Sequence, residues 1–161
     1  MFNKVSRVAL GLSVLAALTV TAGKALAARL HFVGSPKAAV VGDAVVVSGK
    51  VAGLGNGDIT VTVEVEGEVT VLCVSPGGNV APGQNKEPFT AVDSRTFVPS
   101  AKNGQFTFTI AVDVADAIAE AVAQHECANR NWTKEVDDVS FNSVTITVEQ
   151  DGQTISRTLG L

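Results

Sequence analysis

Residues 59–73 set the terms for the whole chain. Ile59, Val61, Val63, Val65, Gly67, Val69, Val71 and Cys73 share one parity, while Thr60, Thr62, Glu64, Glu66, Glu68 and Thr70 share the other. A period of two belongs to a β-strand with one dry and one wet face, so the chain is expected to build a sheet. A two-residue hairpin at Glu66 and Gly67 would set Val65 opposite Glu68, an apolar face against a charged one. One long strand bent at Gly67 is therefore preferred, since glycine inside a strand commonly marks a bend or bulge; a three-residue turn is the alternative.

The amino terminus reads as a secretory signal peptide. Lys4 and Arg7 precede an apolar run over 8–22, and Ala25, Leu26 and Ala27 follow as an A-x-A pattern, which places the cut between Ala27 and Ala28. The alternative is an uncleaved anchor, but a bilayer needs about 20 apolar residues and the run offers about 15. Removing 27 of the 161 residues leaves 134, enough for one domain over 28–161 with a single core. The cut also takes Lys4, Arg7 and Lys24 from the 12 basic residues, leaving 9 against 16 acidic ones and a balance of −7. Nucleic acid and anionic membranes are disfavoured as partners of such a surface. The expected location is secreted or extracellular, or periplasmic in a host with an outer membrane, with no membrane contact after cleavage. A cell-envelope or extracellular protein is the expected kind of partner.

Cys73 and Cys127 are the two cysteines. In an oxidising compartment they pair with each other, and two cysteines allow a single connectivity. Closing a loop of about 55 residues is worth about 4 kcal/mol on the chain-entropy estimate.

The rest of the mature chain continues the sheet pattern. A short first strand is expected within 28–34, with Leu30 and Phe32 on one parity, and a second over 44–52 with Val45, Val47 and Val51 on one parity. A turn at 54–58 leads directly into the long strand. Residues 74–88 hold Pro and Gly too densely for regular structure and are expected to form an ordered Ω-like loop. Residues 89–98 read as an edge strand interrupted at Asp93, Ser94 and Arg95. After a turn at Asn103 and Gly104, Phe106, Phe108, Ile110 and Val112 alternate with polar residues. Asp113 stands as the cap of a helix over 114–125, with Val114, Ala117, Ile118, Ala121, Val122 and His125 on one face. A polar loop around Trp132 is expected over 127–138. In the strand over 139–148, Val139 and Phe141 differ in parity from Val144, Ile146 and Val148, so a bulge near Asn142 and Ser143 is needed. Asp151-Gly152 closes a hairpin that pairs Val148 with Ile155, and the last strand covers 154–159. About seven strands, many Val and Thr and no Tyr fit an all-β, immunoglobulin-like antiparallel sandwich with one short helix better than a closed barrel.

Two motifs, C-V-S-P-G-G-N-V-A-P-G-Q-N over 73–85 and C-A-N-R-N-W-T over 127–133, resemble those of a group of short exported bacterial proteins that combine them and have no assigned activity. The resemblance covers roughly 51–148, and the density of Pro and Gly makes the loop motif fairly specific. It implies export, a Cys73–Cys127 bridge and a β-rich fold, and names no substrate.

Catalytic signatures are sparse. No G-x-S-x-G, H-E-x-x-H, phosphate-cradling Gly loop or EF-hand pattern is found, and His31 and His125 are the only histidines. No enzyme activity, cofactor or metal is expected. His125, Glu126 and Cys127 would ligate a metal with Cys73 only if the thiols stayed reduced, and export favours the bridge. The stripe Glu64, Glu66, Glu68 reads as a solvated face, and the oxygen-rich Asn56, Asp58 and Glu135, Asp137, Asp138 as turns. Trp132 reads as packed on the disulfide end, because a sugar-binding module wants several exposed planar aromatics. The candidate binding surface is the loop tethered by Cys73, with Pro76, Gly77, Gly78, Asn79, Pro82, Gly83, Gln84 and Asn85, together with Trp132. The expected role is an exported, non-catalytic structural or interaction module; a small secreted enzyme or carbohydrate-binding protein is the alternative.

Overall fold

The computed structural model describes residues 29–81, 86–98 and 104–161. The signal peptide with its cut at Ala27 and Ala28, the loop residues Pro82, Gly83, Gln84 and Asn85, and Asn103 lie outside them. The chain forms β1 (His31–Phe32), β2 (Lys37–Val41), β3 (Ala44–Ala52), β4 (Ile59–Val74), β5 (Lys86–Phe97), β6 (Gln105–Asp113), α1 (Ala115–Gln124), β7 (Thr133–Gln150) and β8 (Gln153–Gly160).

Two antiparallel sheets result. In one, β6 runs along one edge of β3, and β1 and β2 share the other. In the second the order is β5-β4-β7-β8. Val45, Val47, Phe108 and Ile110 from the first sheet and Val61, Val63, Val144 and Ile146 from the second belong to one buried core. Hairpins within sheets (β2–β3, β4–β5, β7–β8) joined by crossings between them give the immunoglobulin-like sandwich.

β4 is the long strand that its alternation demands. Val61, Val63, Val65, Val69 and Val71 are fully buried, and Glu66 points to solvent. No turn interrupts it at Gly67, where pairing with β5 continues in register. The irregularity lies in β7. Pairing passes from Glu66–Ser143 to Gly67–Phe141 and skips Asn142, the bulge that brings Phe141 and Val139 to the same face as Val144. Glycine at 67 answers to close approach, because a Cβ there would collide with the Phe89 ring and the Ser140 carbonyl oxygen. Phe89 in turn meets Phe141 edge-on, with ring centroids 5.9 Å apart.

The outer face of this sheet pairs with itself. Thr60–Thr96 (3.1 Å), Thr62–Ser94 (2.9 Å), Thr145–Thr158 (2.9 Å) and Thr147–Ser156 (3.3 Å) are hydroxyl hydrogen bonds, and Ser143 donates to Glu66 at 2.7 Å. Such cross-strand pairs stabilise by about 0.2–1 kcal/mol each, so the Glu stripe sits in a wet, internally bonded face.

The two sheets differ in length. β4 and β7 have 16 and 18 residues, β3 and β6 nine each. At about 3.3 Å per residue, the surplus of about seven residues extends roughly 20 Å. At one end the sheets are tied together. The buried Gln150 accepts the Gly55 N–H (2.9 Å) and donates to the Gly57 carbonyl, and Leu30 N–H donates to Gln153 (3.1 Å). The surplus therefore overhangs at the other end, where α1 leaves β6 and packs on β5, β4 and β7. Val114 and Ala121 are buried and Ala117, Ile118 and Val122 partly so, the face expected of the helix. Asp113 Oδ1 accepts the Ala115 N–H at 2.9 Å, but Val114 is the N-cap residue and His125 the C-cap, so the helix is a residue shorter at each end.

Several expectations need correction. The turn over 54–58 carries the chain across to the other sheet rather than closing a pair between β3 and β4. β2 has no counterpart in the sequence reading: its run Lys-Ala-Ala-Val-Val lacks alternation, although Gly42 (φ 58°) followed by Asp43 is a tight two-residue hairpin turn. β5 is an edge strand as expected, but it begins at Lys86 and is not interrupted. Asp93 and Arg95 share the inward parity of Ala91, pair with each other at 3.0 Å and remain partly solvated, so the ladder runs on beneath them. Inward charges on an edge strand oppose edge-to-edge association. The polar loop around Trp132 ends at Trp132, because β7 starts at Thr133 and pairs with Val74. A second skip, at Asp137, reverses parity again and hides the strand from a period-two reading.

Candidate functional site

The overhanging end gathers the chemistry-bearing side chains. β4 delivers Cys73 on its inward parity, and α1 ends at Gln124 with His125 as its C-cap, two residues before Cys127. Cys73 and Cys127 form the expected disulfide, with Cα atoms 5.7 Å apart. The bridge thus joins the end of the long strand to the segment leading out of the helix.

His125 is buried at 6% exposure. Its Nδ1 hydrogen-bonds Glu87 Oε1 at 2.8 Å, so the proton on Nδ1 donates to the carboxylate. Glu87 reaches it from the inward parity of β5, opposite Val69. The other ring nitrogen, Nε2, is buried with no hydrogen-bond partner among the described residues. Leaving such an atom unpaired costs on the order of 1–3 kcal/mol. A ring nitrogen of His125 and the two sulfur atoms all lie within 4.8 Å of one another. Lys134, on the inward side of β7 opposite Cys73, donates from Nζ to the Ala123 carbonyl at 2.7 Å and so caps the last turn of the helix.

Beside this cluster opens a cleft of about 520 Å3, lined among others by His125, Cys127, Asn129, Arg130, Trp132 and Lys134. Asn129 shapes the segment: its Oδ1 accepts the Asn131 N–H and its carbonyl the Trp132 N–H, both at 3.0 Å. Trp132 is half-buried at the cleft, neither sunk in the core nor flat in solvent.

Pro76, Gly77, Gly78 and Asn79 form an exposed turn on the end of β4. Gly78 N–H donates to the Ser75 carbonyl (2.8 Å), Ser75 N–H to the Asn79 carbonyl (2.9 Å) and Asn79 N–H to Ser75 Oγ (3.0 Å), after which Val80 pairs back on Val74. This turn and the Trp132 segment meet where Val74 pairs with Thr133, whose Oγ1 also donates to the Val74 carbonyl at 3.3 Å, with the disulfide beside it. The cleft itself is lined by residues within 125–134. His31, the other histidine, is exposed, with Nδ1 2.8 Å from the Arg29 carbonyl and no carboxylate of the described residues bonded to it.

Glu87, Asn129, Arg130 and Lys134 are the site residues that sequence reasoning missed. Glu87 was hidden in a stretch read as loop, and the available signal was its parity with Phe89 and Ala91. Comparison with family models, with curated proteins and with solved structures finds no match to this chain.

Proposed function

We propose that the protein is exported and works outside the cytoplasm as a non-catalytic sandwich that presents a binding surface at its cross-linked end. The observation that carries this reading is the cleft anchored by Cys127, where the half-buried Trp132 stands among Asn129, Arg130 and Lys134. A rigid aromatic flanked by cations and amides is the composition of a contact surface, and two chain segments are held there by one disulfide. The expected partner is a cell-envelope or extracellular protein. Export is supported by the signal-like amino terminus and by the disulfide, which persists in oxidising compartments. The mature protein is expected to begin at Ala28 when sequenced from the medium. Binding to purified envelope fractions and to glycan panels tests the role: Trp132→Ala should lower binding at least tenfold with the melting temperature unchanged, and equal binding by both proteins would refute the surface.

A second reading, a small secreted enzyme, has one observation in its favour, the buried His125–Glu87 pair. It stays second because, among the described residues, no hydroxyl is hydrogen-bonded to Nε2, where a general base would hold its nucleophile. Hydrolytic turnover abolished by His125→Asn would reverse the order of the two readings.

A further inference from the structure

The sulfur atoms of Cys73 and Cys127 and a ring nitrogen of His125 already lie within 4.8 Å of one another. Ligand atoms around a tetrahedral zinc ion, at about 2.3 Å for sulfur and 2.0–2.1 Å for nitrogen, are roughly 3.5–3.8 Å apart, so side-chain shifts that part the two sulfurs and bring the imidazole nitrogen closer by about 1 Å at most would form the set. The remaining parts of such a site are in place. Glu87 holds the imidazole through Nδ1, which leaves the lone pair on Nε2, and that atom is buried with no partner among the described residues. A carboxylate behind a ligating histidine is the arrangement that orients metal ligands in proteins. Cys127 is half-buried and lines the 520 Å3 cleft, which gives a reductant and an ion a path to the cluster.

We propose that reduction of the Cys73–Cys127 bridge turns this end of the molecule into a binding site for a thiophilic d10 cation, held by both thiolates and His125 with Glu87 as the orienting carboxylate. A dithiol reductant supplies the two electrons and two protons: its own sulfurs become a disulfide, the Cys73–Cys127 bond breaks, and each cysteine leaves as a thiol. Binding of the cation then releases the two thiol protons, and the cleft leaves a fourth coordination position open to water or to a ligand. Soft thiolate ligands with one imidazole select zinc or cuprous copper over calcium, magnesium or manganese. The bridge thus acts as a cover that keeps the site closed while the protein is oxidised.

Zinc titration against a chromophoric chelator, on the whole protein with and without a phosphine reductant, tests this. The reduced protein should take up one equivalent, and the oxidised protein should bind at least 100-fold more weakly. His125→Asn and Glu87→Gln keep both cysteines and should each weaken binding by about 10-fold or more, whereas His31→Asn, remote from the cluster, should leave it unchanged. Because reduction loosens the fold, thermal melting supplies a second readout: at equal zinc, the melting temperature of the reduced protein should rise clearly more than that of the reduced His125→Asn variant. No zinc uptake on reduction, equal affinity in the two redox states, or equal affinity of the His125 and His31 variants would overturn the proposal.

Discussion

The two halves of β4 are built from the same alternation and are covered in different ways. Residues 59–66 face a second sheet, with Val63 buried in a core shared with Val47 and Ile110. Residues 67–74 extend beyond that sheet, and Val69 and Val71 are kept dry by a ten-residue helix, the Phe89–Phe141 pair and a disulfide. A sheet cover is held by its own backbone ladder. A ten-residue helix is marginal by itself and holds its place through packing and tethers. The difference explains why the unpaired histidine nitrogen, the cross-link and the cleft all lie at one end.

The largest expected effect belongs to the sheet-covered half. Val63→Asp puts an unpaired charge where nothing can solvate it, at a cost of several kcal/mol, a large share of a small domain's stability. Loss of the sheet signal in circular dichroism is the expected result. A folded variant would show that the shared core is less critical than its burial implies.

Next comes the tether of the helix-covered half. The bridge spans 54 residues, so reduction should lower the melting temperature by about 10 °C or more if it removes about 4 kcal/mol. A shift under about 2 °C would mean that helix packing alone holds the overhang. Smaller again is Gly67→Ala, whose methyl group meets the Phe89 ring and the Ser140 carbonyl; overpacking of this kind costs about 1–3 kcal/mol, readable as a lower urea midpoint. The smallest is Lys134→Met, which removes the cap on the Ala123 carbonyl while keeping much of the stem. A loss of about 1 kcal/mol is expected by chemical denaturation, and a larger one would give that contact more weight than a single hydrogen bond.

Much of the sheet-covered half was legible in the sequence because its signals are local. The β3 boundaries, the Asn142 bulge and the Asp151-Gly152 turn (φ 49° and 76°) follow from parity and turn chemistry. β2 escaped because an edge strand that buries little beyond Ala38 needs no alternation. The candidate site was legible only in part. Cys73, Cys127 and Trp132 stand out by residue type, but Glu87 and His125 are 38 residues apart and meet only because sheet and helix converge. Two bulges in β7 reverse its parity twice, which concealed both its first six residues and the placement of Lys134 on the inward face.

The most direct measurement of the central claim is native-state hydrogen exchange along β4, before and after reduction of the bridge. Faster exchange is predicted for amides of residues 67–74 and of α1, with 59–66 keeping the protection of the global fold until the whole domain opens. Equal acceleration in both halves of the strand would contradict the account, because it would mean that the overhang and the sandwich unfold as one unit and that the bridge staples the whole domain rather than its helix-covered end.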